Sequence, residues 1–93
     1  MDKPPLEYHL EIYEGSFVND PSISWKSSSP FPTMNVGDYI DHRMSGNWQS
    51  PPGNNEAFSV LRVEHIFWEI ENSHIGHKLM VCLEIVEHPE ANA

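Results

Sequence analysis

Phe58-Ser59-Val60-Leu61-Arg62-Val63-Glu64-His65-Ile66-Phe67-Trp68-Glu69-Ile70-Glu71, Asn72-Ser73-His74-Ile75-Gly76 and His77-Lys78-Leu79-Met80-Val81-Cys82-Leu83-Glu84-Ile85-Val86 follow one another without a break. Two runs rich in β-branched and aromatic residues around a short polar segment with Asn and Gly are the signature of a β-hairpin, here 58–71 paired with 77–86. Pairing outward from the 72–76 loop sets Glu71 against His77, Phe67 against Val81, His65 against Leu83 and Val63 against Ile85. Trp68 against Met80 and Ile66 against Cys82 then fall on the other side. Such cross-strand pairs contribute roughly 0.2–1 kcal/mol each. Both faces are apolar near the turn, which predicts a hairpin covered on both sides, central in its sheet or curled within a small barrel.

The apolar set changes phase between Phe58/Val60 and Leu61/Val63. Side chains alternate with period two, so a phase change without a turn predicts a β-bulge or sharp bend between Val60 and Glu64.

Working toward the N-terminus, Leu6, Tyr8, Leu10 and Ile12 alternate with Glu7, His9, Glu11 and Tyr13, the pattern of a half-buried antiparallel strand ending at Gly15. Left unprotected, that strand offers an edge for pairing with a second copy, so a monomer or an edge-paired homodimer is expected. Two Pro-, Gly- and Ser-rich loops, 16–33 and 43–56, are separated by Val36–His42, which reads as a turn at Gly37-Asp38 entering a short strand. The expected fold is mainly β: a small antiparallel β-barrel or sandwich of about four to six strands. Residues 1–93 form one domain on this reading, with 1–5 and 88–93 as frayed tails.

Composition narrows the function classes. Ninety-three residues leave room for one core, burying roughly 60–65% of the unfolded surface. Fourteen acidic against five basic residues give a formal charge of −9. That balance disfavours direct nucleic-acid binding, whose affinity comes largely from Lys and Arg, and suits an acidic surface facing a basic protein. Apolar runs stop short of a membrane span, and Met1–Pro5 lacks the apolar run of a signal peptide, so a cytoplasmic protein without membrane contact is expected. The single cysteine, Cys82, lies in the most apolar run and reads as a small hydrophobe.

No recognisable catalytic motif is present and no catalytic residue or cofactor is assigned, so an enzyme is the less favoured reading. The favoured one is a binding or accessory module that contacts another protein through aromatic-bearing loops. Its candidate residues are Trp25, Phe31 and Trp48, with Asp38, Asp41, His42 and His65 beside them. Glu7, Glu11, Asp38 and Asp41 supply an acidic rim, and truncating Trp48 is expected to leave stability nearly unchanged. One alternative is a small-molecule or metal-binding barrel, weakly catalytic at most, that gathers His65, His74 and His77 at one open end. His74 and His77 are the candidate metal ligands, although a zinc site ordinarily needs a second matched pair. The other alternative is an acidic DNA mimic that inhibits a DNA-binding protein.

Overall fold

Alternation in the first segment builds a strand at once: Leu10 and Ile12 point one way and are buried, while Glu7, His9 and Glu11 point the other. The computed structural model describes residues 6–88. It is mainly β, 54% strand and 4% helix, and its one mixed sheet curls into a half-barrel. The strands are β1 (Leu6–Glu14), β2 (Ile23–Ser27), β3 (Tyr39–Ile40), β4 (Glu56–Ile70) and β5 (His74–Glu87), with a 3-10 turn at His42–Met44. Across the sheet they run β2-β1-β5-β4-β3.

The sheet is not the antiparallel one that the sequence suggests, because β1 and β5 are parallel, with Leu10 opposite Leu79 and Ile12 opposite Val81. After β2 the chain crosses to the opposite edge, lays down β3, and fills the gap with β4 and β5. Neighbouring parallel strands require such a long crossover, and period-two alternation looks the same whichever way a neighbour runs. As a result β1 is paired on both sides, by β2 and by β5, and is not the exposed edge expected of Leu6–Tyr13.

β4 and β5 pair antiparallel in a register that differs from the expected one. The connection is Glu71-Asn72-Ser73, with Asn72 in the left-handed region (φ 60°) and the Ser73 amide donating to the Ile70 carbonyl at 3.0 Å. His74, Gly76 and His77 are therefore strand residues, with Ile70 opposite His74, Phe67 opposite His77 and His65 opposite Leu79. The slide is even, so every side chain keeps its expected face while its partner changes. The expected bulge lies where the phase change placed it: Val60 pairs with Leu83 and Arg62 with Cys82, leaving Leu61 as the extra residue.

One face of the sheet carries the core. Leu10, Ile12, Ile23, Phe58, Val60, Leu79, Val81 and Leu83 are buried there, and Phe31, Met34, Ile40, Trp48 and Val63 pack onto them. The Pro-rich crossover thus lies partly over the core. Gly37, with φ 94°, donates its amide to the Val60 carbonyl, and the Val60 amide donates to Asp38. On the other face, ion pairs cross between strands: Lys26 to Glu7 at 2.7 Å and Lys78 to Glu11 at 3.3 Å. The Tyr13 hydroxyl donates to Glu11 at 2.7 Å, and burial, followed by that carboxylate, pushes its pKa up to about 12.

The expected tails at 1–5 and 89–93 lie outside the described residues. His88 is tied in, donating its amide to the Asn55 carbonyl at 2.7 Å and stacking on Tyr39. No helix among the described residues is long and apolar enough to cross a membrane.

Candidate protein-binding surface

Register brings together side chains far apart in sequence. On the core face, Ser27, Tyr8, His77 and Phe67 share one row across β2, β1, β5 and β4, and Trp25, Leu10, Leu79 and His65 share the next. Leu10 and Leu79 are buried, but beyond them the rings emerge into solvent: Trp25 is 44% exposed and Phe67 is 70% exposed. Phe67 stacks on His77 with centroids 4.5 Å apart, His65 stacks on His77 at 5.1 Å, and Tyr8 meets His77 edge-on at 6.2 Å. At this end β4 also outruns its outer neighbour, since β3 pairs only with Phe58 and Ser59.

His65 Nδ1 and His77 Nε2 are 2.8 Å apart, a hydrogen bond that requires a donor on one ring and a lone pair on the other. Burial, and then the neighbouring His65, hold the His77 pKa below the ordinary imidazole value. The pair presents a flat, stacked surface that retains hydrogen-bonding edges, and at neutral pH the His77 ring is uncharged.

His74 does not join it. His77 follows His74 by three positions, and on a strand that odd offset sends them to opposite faces. His74 lies 3.2 Å from Glu7, within a polar cluster that also receives Lys26, and accepts from Trp68 Nε1 at 3.3 Å. The Lys26 hydrogen bond, ahead of the two nearby imidazoles, lowers the Glu7 pKa. His65, His74 and His77 thus do not converge, and no cluster of three or more His, Cys, Asp or Glu able to hold a metal ion occurs among the described residues.

The loop candidates are spent on structure and stand apart from one another. Phe31 packs on the core. Trp48 tilts against Phe58 at 4.7 Å, and its Nε1 donates to the His42 carbonyl at 2.6 Å, so the backbone of His42 holds the indole in place. The Asp38 carboxylate accepts the Asn35 amide at 2.8 Å and closes a turn. Asp41 is paired with Arg43 at 2.6 Å, and that guanidinium holds its carboxyl well below the usual range. The 43–56 loop is pinned by Glu14, which accepts the Gln49 and Ser50 amides at 2.9 and 2.8 Å and the Ser22 hydroxyl. Burial alone would raise the Glu14 pKa, but these three hydrogen bonds outweigh it and lower it. Beside the clamp opens a cleft of about 410 Å³, lined by residues including Asn19, Gln49, Phe58 and Leu83.

Of the residues singled out from sequence, His65, His77 and Trp25 share the exposed tract. Phe67 and Tyr8 were missed as members of it. The signal was present in Ile66 to Ile70, apolar on both faces beside a turn. Such a stretch is covered only if other segments pack over its faces, and here Ile66, Phe67 and Ile70 stay exposed. Comparison with protein-family models, curated proteins and solved structures gives no match. Fold and surface together define a small half-barrel β domain with an uncovered aromatic and imidazole tract at one end.

Proposed function

We propose that this chain is an acidic binding or accessory module that engages another protein through the uncovered end of its sheet, with Phe67 at the centre of the contact. The observation that carries the reading is a phenylalanine 70% exposed near the turn end of β4, stacked on an imidazole that is hydrogen-bonded to a second one. An aromatic ring held rigidly by stacking loses little conformational freedom on binding, and clustered exposed rings are typical anchors of interfaces. The charge of −9 adds a preference for a basic partner and disfavours a polyphosphate. The weight falls on the sheet face rather than on the Pro-rich loops, because Trp48 and Phe31 are packed inward.

A photo-cross-linking residue placed at position 65, with Phe67→Ser as the test variant and Val18→Ser as the control at another exposed apolar site, examines this in the native host. The adduct is expected to vanish with Phe67→Ser and persist with Val18→Ser. Folding stability should change by no more than about 1 kcal/mol in either variant. An adduct unaffected by Phe67→Ser contradicts the proposal.

A further inference from the structure

The backbone of the same region carries more information than its rings. β4 is paired along one side with β5 throughout, whereas its outer side meets β3 only at Phe58 and Ser59 and receives Gly37 and Asp38 at Val60. From Leu61, the bulge residue, to Ile70, the outer edge of β4 has no strand partner among the described residues. We infer that this edge takes an extended basic segment of the partner protein as a sixth strand, an inference that rests on the protein-binding reading above.

Three observations converge on that occupant. An unpaired edge presents N–H and C=O groups at strand spacing, which is the template for β-augmentation. The side chains along it offer footholds on both faces: Val63, His65 and Phe67 on one, Ile66, Trp68 and Ile70 on the other. Leu61, Ile66, Phe67 and Ile70 are all exposed. The charge then selects the chemistry. Glu64, Glu69 and Glu71 lie along or beside the edge with no basic side chain in ion-pair range among the described residues, against Arg62 as the cation of the stretch.

A second copy would bring the same carboxylates and another −9 to the seam. Charged edge residues and a bulge are also how natural sheets resist pairing with themselves. A segment alternating Lys or Arg with Val or Ile instead sets its cations on the face that carries Glu69, with Glu71 beside it in the turn, and its aliphatics on the opposite face against Ile66, Trp68 and Ile70. Within a Debye length of about 8–10 Å such complementarity is felt at physiological salt.

The test uses the full chain and a synthetic peptide of about eight residues alternating Lys with Val and Ile. Controls are a peptide of the same length and charge with proline in place of Val and Ile, and one with Glu in place of Lys. Amide exchange and translational diffusion are followed by NMR. The expected result is slowed exchange of alternate amides in Leu61–Ile70 with the Lys peptide alone, weakened by salt. Binding should fall roughly tenfold in the double variant Glu69→Lys, Glu71→Lys, whose β1 amides should retain their protection.

Shifts confined to the rings of Tyr8, Trp25 and His77, without edge protection, overturn strand addition and leave the protein-binding reading standing. Edge protection that grows with protein concentration in the absence of peptide, with slower diffusion, overturns the basic segment in favour of a second copy. No change anywhere also overturns the inference, while the cross-link through position 65 judges the broader reading separately.

Discussion

Gly76 lies directly opposite Trp68, and a Cβ built there would overlap the indole ring. The indole therefore lies over bare backbone, where it also donates to His74 and sits against His9 at 5.4 Å. Gly76→Ala should displace the ring and cost about 1–3 kcal/mol, read by chemical denaturation together with a shift in tryptophan emission. Unchanged stability and emission would show that the ring does not occupy that position. Across the sheet, the His65–His77 pair makes a pH prediction. His77 titrates below its ordinary value of 6.5 when folded, so the unfolded chain takes up that proton first as the pH drops. Its stabilising contribution is complete above about pH 6.5 and is lost as the pH falls toward the lowered folded value. Denaturation across that window should show a decline that His77→Phe flattens; an identical slope in the variant would contradict the stack as described. His65 was legible from sequence as a histidine on an apolar face. Its partner was not, because the expected register set His65 opposite Leu83 and His77 opposite Glu71, and the two meet only once the turn shortens to Glu71–Ser73.

Four of the five strands and the turn at Gly37 follow from period two and glycine placement, and the Leu61 bulge follows from a single phase change, whereas β2 (Ile23–Ser27) falls inside the expected 16–33 loop, its short run made a strand by pairing with β1. Registers and loops were less legible. A three-residue turn closed by Asn72 in the left-handed region competes with the longer loop that Gly76 suggests, and it prevails by pairing three more residues of β5, His74, Ile75 and Gly76. The loop tryptophan was misread because sequence does not disclose which carbonyl an indole N–H can reach. With His42 supplying that carbonyl and Phe58 the packing surface, Trp48 behaves as a core residue. Trp48→Ala should therefore lower stability by about 2–3 kcal/mol in thermal or chemical unfolding, rather than leave it unchanged. A near-neutral result would return Trp48 to the pool of binding candidates.

At the scale of the whole molecule, the one feature the sequence conceals is direction. Alternation is the same beside a parallel or an antiparallel neighbour, so nothing in Leu6–Tyr13 announces that β5 runs alongside it in the same sense. That crossover makes β5 the central strand, seals both edges of β1 and leaves the far part of β4 as open edge. Overall charge was legible, and it is spread unevenly: Lys26, Arg43 and Lys78 are already engaged by Glu7, Asp41 and Glu11, so much of the net negative field comes from carboxylates elsewhere, including those beside the open edge. The proposed surface and its partner chemistry both depend on that edge being open in the isolated protein. Residue-resolved amide exchange of the chain alone measures this directly. Along Leu61–Ile70, amides bonded to β5 should exchange slowly and the alternate, outward-pointing ones should exchange nearly as fast as in an unfolded chain; slow exchange at every position would mean that the edge is already occupied.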